Sequence, residues 1–336
     1  MKTKGSVLLG ILGIIVLTFF AGAMVVVPTG TAHAQKIELS LGHMAPTTFF
    51  YHTLAIKFKE TLEKKSGDKV TVKVYPAGQL GQEKDLLEGE KIGSVDMAIT
   101  MTSLLALWEQ QMTYIDIPYL YRDVDHATKV LNGPVGMSIN KKLENHGIMV
   151  LACYNLGFRS VYNRKRPIFK PADLAGMKHR VIQNPLHIDL FNALGAKAIP
   201  MSWGEVYTAL QQGVIDSVDN NPPSYETMKH YEVAPYFTVT NHLYTSAVLT
   251  MSKKRFDSLS KDLQQEIVDV SKALIPEAIQ ITKDTDYKII GKLVAENKVQ
   301  FNTADFDAFA KASKGVSDMY SQKLGMDLIE KIKAVK

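Results

Sequence analysis

From residue 37 onward the chain switches repeatedly between two hydrophobic periods, and this alternation restricts its possible folds more than any other feature. Val70, Val72 and Val74 alternate with Thr71 and Lys73, the period of a strand with one buried face. Just before them, residues 53–65 carry Leu54, Ile56, Phe58 and Leu62 among lysines and glutamates, an amphipathic helix ended by Gly67. The same reading places strands at 37–41, 95–100, 148–154 and 179–182, and helices at 82–92, 186–194 and 203–212. Strands that alternate with helices predict βα units, and so an α/β fold. Ser202 and Glu205 stand three apart as a capping box, each side chain satisfying a backbone donor at the start of the last of these helices. Residues 259–297 keep a helical period for far longer, interrupted only by Pro276. A helix there should kink or split in two at the proline, and it is long enough to brace two lobes.

The N-terminus has a different character. Lys2 and Lys4 precede an apolar run over residues 7–27, followed by Pro28 and then by Ala32-His33-Ala34, small residues at the spacing a signal peptidase requires. Residues 1–34 are predicted to be an export signal cleaved after Ala34, although the run also approaches the roughly 20 residues of an uncleaved membrane anchor. No later segment could span a bilayer, so the mature chain should be free in the periplasm. Cleavage removes two lysines and no acids, taking the formal charge from +5 to +3. So mild an excess gives no reason to expect a nucleic-acid partner. With 336 residues, 46% hydrophobic and 22% charged, the chain has material for two cores, and a monomer is the default.

Catalytic motifs are not assembled. Cys153, the only cysteine, lies in the apolar stretch Val150, Leu151, Ala152, which predicts a core residue and excludes an intrachain disulfide. Nine histidines are scattered without a His-Glu-x-x-His pair, and one cysteine cannot build a cysteine-rich zinc site, so no metal is expected. There is no glycine-rich phosphate loop and no Gly-x-Ser-x-Gly elbow, which leaves no cofactor to expect. Ser258-Leu259-Ser260-Lys261 fits Ser-x-x-Lys but lacks that motif's partners, and a helix start accounts for the serines.

Two arginines do point to a chemistry. Arg159, in Asn155-Leu156-Gly157-Phe158-Arg159, and Arg180, in Lys178-His179-Arg180-Val181, are about twenty residues apart, and a planar guanidinium fork matches the two oxygens of a carboxylate. Their setting is specific. Leu194-Gly195-Ala196, the run from Pro200-Met201-Ser202-Trp203 through Ala209-Leu210-Gln211-Gln212-Gly213-Val214-Ile215-Asp216, and Asn220-Asn221-Pro222 resemble the signature of the DctP-type solute-binding proteins of tripartite ATP-independent periplasmic (TRAP) transporters. The resemblance extends from Leu39-Ser40-Leu41-Gly42-His43 through Tyr75-Pro76-Ala77-Gly78-Gln79-Leu80-Gly81 to Asn241-His242, nearly the whole mature chain.

That resemblance implies a two-lobed periplasmic binding protein fold with a long helix bracing both lobes, one lobe at 36–156 plus 246–286 and the other at 157–245 plus 287–336. It implies a receptor, not an enzyme, that hands a small organic acid to a membrane permease driven by an ion gradient. An ABC-importer receptor and a periplasmic hydrolase are the competing readings. It casts Arg180 as the two-pronged partner of the acid's carboxylate, Arg159 as a second arginine, and Asn220 as an amide partner. The family pattern Asp-Gly-x-Glu-Asn reads Asp216-Ser217-Val218-Asp219-Asn220 here, which loses a glycine from an expected turn and shortens a glutamate.

The other lobe should supply groups that choose among acids. His43 follows the first strand, and Met101 and Thr102 follow the third, at the carboxyl ends where open α/β sheets place ligands. Trp203 and Tyr225 are aromatic candidates for a pocket wall, with Asn155 and Asn184 beside the two arginines. Methionines at 44 and 101 argue against the bulky ligand of sialic-acid-binding relatives. Asn220-Asn221-Pro222-Pro223-Ser224-Tyr225 resembles the branch associated with sugar acids, among a family range that includes dicarboxylates, 2-oxo acids and aromatic acids.

Overall fold

The computed structural model describes residues 36–67, 69–283 and 285–336, so the expected export signal lies outside the described residues. Among the described residues nine strands form one sheet: β1 (Ile37–Gly42), β2 (Val70–Tyr75), β3 (Met97–Met101), β4 (Ile148–Asn163), β5 (Lys178–Val181), β6 (Lys197–Pro200), β7 (Ser217–Asn220), β8 (Tyr236–Ser252) and β9 (Gln300–Thr303). Their order is β2-β1-β3-β8-β4-β7-β5-β6, with β9 added on β8. The parallel set β2-β1-β3 is built from the first βα units, and the parallel set β7-β5-β6 from the later ones.

Two long antiparallel strands join these halves. β3 pairs with Ala247–Met251 near the end of β8, whereas β9 pairs with Tyr236–Val239 at its start, and β7 pairs with Ser160–Asn163 at the end of β4. The β4–β8 ladder is irregular, with a register shift at Val150/Ala152 opposite the stretch that β3 pairs and further shifts at Asn155/Gly157 and Arg159/Val161. Gly157 takes φ 86°, a left-handed conformation that glycine alone adopts without strain, and Asn241 on β8 takes φ 43°. The shifts at Asn155/Gly157 and Arg159/Val161, with Asn241, lie where the two half-sheets meet.

β4 runs through Asn163, nine residues past the strand read from sequence, because Gly157 and Arg159 look like strand breakers until both faces are seen to be covered. Buried Cys153, Tyr154, Leu156, Val161 and Tyr162 all lie on it. One core cluster spreads from Leu39, Phe58 and Met97 to Leu186 and Phe191, and a second gathers Tyr162, Val206, Val218, Phe237 and Leu293.

The long helical segment is split into three: Lys261–Ala273, Ile275–Lys283 and Asp286–Ala295. Pro276 stands in the first turn of the second helix, where a missing backbone donor costs nothing. The second break, near residue 285, has no proline to announce it. The first helix packs on the helix Phe50–Lys65 and the third on Pro222–Thr227 and β9, so the run passes from one half of the sheet to the other. The last helix, Met326–Ala334, reaches back to the first half, where Arg122 donates to the carbonyls of Lys333 and Val335 at 2.9 and 2.6 Å.

Candidate functional site

Arg180 and Arg159 come together at the junction of the halves. Arg180 lies on β5 with only 4% of its surface exposed. Its Nε and Nη2 both donate to the Met201 carbonyl, at 2.9 and 2.7 Å, and its guanidinium carbon lies 5.3 Å from the centre of the Trp203 ring. The carbonyl and the aromatic face fix the plane of the fork. Nη1 finds no acceptor among the described residues. Burial, and after it the Arg159 charge, bring this guanidinium down to about 10, so it remains charged at neutral pH.

Arg159 is held differently. On β4, fully buried, it donates from Nε to Asp219 Oδ2 at 2.5 Å, from Nη2 to the Asp219 carbonyl, and from Nη1 to Asn220 Oδ1 at 3.3 Å. His179 and His242 approach the same aspartate through Nε2, each at 3.3 Å. Burial works against the Asp219 charge, but Arg159 and the two imidazoles outweigh it and hold the carboxyl well below the usual range. Asp219 consumes the charge of Arg159. The positive charge of Arg180 is left without a paired acid of its own.

The expected turn at Ser217–Asp219 is instead strand β7, so no positive φ is needed and Ser217 serves as a partner of His179 Nδ1 at 2.8 Å. The shortened acid, read from sequence as a departure, is the residue that anchors Arg159. The turn comes one step later, where Asn221 caps the helix Pro222–Thr227 by accepting from Ser224 N, and its amide also donates to the Leu156 carbonyl.

A cavity opens in front of the two arginines. Arg159, Arg180, Ile182, Met201, Trp203 and Asn220 line it from one side, and Met44, Phe49, Tyr51, Gln82, Glu83 and Met101 from the other. The structure thus brings together five residues singled out from sequence: Arg159, Arg180, Asn220, Met101 and Trp203. The other five lie off the cavity wall. His43 is buried with Nε2 3.2 Å from His52 Nδ1, and Thr102 bonds the carbonyl and hydroxyl of Ser246. Tyr225 packs at a tilt against Tyr162 and Phe237, with its hydroxyl donating to the Ala234 carbonyl. Asn184 caps the helix Pro185–Ala193 and donates to Asp116 Oδ2, and Asn155 accepts from Gly157 N beside the strand irregularity.

Glu83 is the main residue sequence reading missed. An acid in the first turn of a helix is ordinary there, so its pattern gives no signal. Part of its surface faces the cavity and protein surrounds the rest. Burial raises its carboxyl to about 7, against the pull of the Met101 backbone N–H at 2.8 Å, Arg180, Arg159 and Tyr51. Among the described residues, no group of three or more His, Cys, Asp or Glu side chains could hold a metal ion.

Fold and site together define a two-lobed α/β binding protein with a cavity of excess positive charge. The family model for bacterial extracellular solute-binding proteins, family 7 (DctP), matches residues 41–323, and the chain belongs to that family. It is 30% identical over 319 residues to the 2,3-diketo-L-gulonate-binding periplasmic protein YiaO of Escherichia coli K12, covering 94% of this chain and 97% of that protein. A TRAP periplasmic solute-binding protein from Polaromonas sp. JS666, solved with bound D-erythronate, is 30% identical with a TM-score of 0.86, covering 89% of this chain and 99% of that one. Another from Bradyrhizobium sp. BTAi1, solved with α/β-D-galacturonate, is 34% identical with a TM-score of 0.84, covering 88% and 99%.

Proposed function

We propose that this protein is the periplasmic receptor of a TRAP transporter, that its ligand is a hydroxylated monocarboxylate of the sugar-acid class, and that Arg180 receives the carboxylate. The observation that carries this reading is the unequal state of the two arginines. Arg159 is neutralised by Asp219, while Arg180 is buried, charged and leaves Nη1 to the cavity. A buried charge without a partner is costly, so the site favours an anion that supplies one. Arg159 Nη1 and Asn220 stand beside it as further donors. The sugar acids bound by the solved relatives support the ligand class.

The lobes of this reading are 36–156 plus 246–286 and 157–245 plus 287–336, hinged where β4 and β8 lose register, with the final helix returning to the first lobe. Residues 1–34 are removed on export, which N-terminal sequencing of the periplasmic protein would locate after Ala34. The mature protein acts as a monomer, needs no metal or cofactor, and releases its acid unchanged to a permease driven by an ion gradient.

Thermal unfolding in the presence of an acid panel tests the reading. D-galacturonate, D-glucuronate, D-galactonate and D-erythronate should include a ligand that stabilises the fold by about 2.7 kcal/mol at a hundredfold excess over its Kd. The corresponding amides should not. Equal stabilisation by amides or neutral sugars would contradict the carboxylate clamp.

A further inference from the structure

A carboxylate can satisfy donors but offers none. The cavity wall nevertheless includes an acceptor that needs one. Gln82 lines the cavity at the start of the helix Glu83–Ile92, and its Oε1 is buried without a hydrogen-bond partner. Asp85 closes that end of the helix by accepting from the Gln82 backbone N–H at 2.9 Å; the Gln82 side chain takes the reciprocal capping-box position toward the Asp85 backbone without forming a cap hydrogen bond, so Oε1 keeps room for a stronger donor. An unmatched buried amide oxygen destabilises the protein, and a ligand hydroxyl donating to it would relieve that.

Across the junction, Gln82 lies flat against Gly204. A Cβ on Gly204 would stand 3.0 Å from Oε1, 3.2 Å from Nε2 and 3.5 Å from the amide carbon. Gly204 precedes Glu205 in the segment that carries Met201 and Trp203, the two supports of Arg180. The amide therefore rests against a glycine on the lobe that holds the carboxylate, and a side chain there would make it give by a few tenths of an ångström or more.

Resting on the carboxylate reading above, we propose that Gln82 is a specificity-determining residue. Its amide oxygen accepts from a ligand hydroxyl, and Gly204 is the seat that lets it do so with the lobes closed. The pair selects hydroxylated acids over hydroxyl-free acids of the same length, because only the former bring a donor to Oε1. Neighbouring Glu83 adds a second acceptor on the same wall and opposes a second carboxylate.

Calorimetric titration of wild type, Gln82→Leu and Gly204→Ala with D-erythronate, D-galactonate and D-galacturonate, and with butyrate and hexanoate as hydroxyl-free controls, tests this. For the tightest hydroxylated acid, both variants should lose at least about tenfold in affinity, and neither should lose affinity for the controls. Monodeoxy versions of that acid extend the test: the one lacking the hydroxyl that Gln82 reads should bind wild type and Gln82→Leu equally. Wild-type affinity of Gln82→Leu for every hydroxylated acid would overturn the proposal and leave the carboxylate reading intact. Binding of no acid by wild type would instead sink the carboxylate reading itself. Gly204→Ala adds one methyl group to an exposed glycine, so it tests the seat even if Gln82→Leu folds poorly.

Discussion

Arg159 and Asp219 face each other from adjacent antiparallel strands, Nε to Oδ2 at 2.5 Å, with both side chains sealed from solvent. The pair is unequal in its consequences. Asp219 fixes Arg159 as a wall of the cavity, and by doing so leaves Arg180 as the charge that an anion must meet.

Removing the acid leaves Arg159 buried and uncompensated. Asp219→Ala should destabilise the protein by about 3–5 kcal/mol, as breaking a buried pair from one side does. Urea unfolding at pH 7 measures it. Because the folded carboxyl sits well below its ordinary value of 3.8, its contribution is present at all pH above that value and is lost as pH falls below it. The acid limb of the wild-type stability curve should therefore be steeper than that of Asp219→Asn.

Three buried histidines act over a different window. Burial lowers His179 and His43 to about 4 and His230 to about 3, from an ordinary 6.5. Their folded states favour neutral imidazole, so the stability they lend is complete above pH 6.5 and drains as pH falls from there through 4. Urea melts at pH 7.5, 5.5 and 4.5 should show a continuous loss totalling a few kcal/mol. A flat curve across that range would contradict the burial of all three.

The α/β class was legible because periods of two and 3.6 leave clear marks at Val70, Val72 and Val74 and along residues 53–65. The length of β4 was not, since Asn155, Gly157 and Arg159 carry no apolar alternation. Only the covering of both strand faces makes them strand. In the site, Arg180 and Arg159 were found by charge type and setting. Asp219 was seen only as a departure, because the need for an acid there arises from an arginine sixty residues earlier. Glu83 and Gln82 gave no signal, as a helix start accounts for both. Tyr225 and Asn184 could not be told from wall residues until their partners, Ala234 and Asp116, were seen.

Glu83 should make ligand affinity depend on pH near neutrality. Below about 7 its carboxyl is neutral, the cavity is more positive, and an anionic acid should bind several-fold more tightly at pH 6 than at pH 8. Glu83→Gln should flatten that dependence. Calorimetry of both proteins at the two pH values checks it, and a wild-type Kd that does not change with pH would refute it.

Cys153 should be inert while the protein is folded. Its thiol is buried and pushed up to about 12 by that burial, so almost no thiolate exists at pH 8. A chromogenic disulfide reagent should leave the native protein unlabelled and react with one thiol per chain in urea.

The most direct test of the carboxylate clamp is calorimetric titration of Arg180 variants, confirmed folded by circular dichroism, with the tightest acid from the panel. Arg180→Ala should abolish measurable binding, since a desolvated acid stripped of its partner typically loses about 2–5 kcal/mol. Arg180→Lys keeps the charge but not the fork, and should weaken binding at least about tenfold, roughly 1.4 kcal/mol. Arg159→Ala should fall between wild type and Arg180→Ala. Near-wild-type affinity in folded Arg180→Ala would contradict the assignment of this residue and the account of the site built on it.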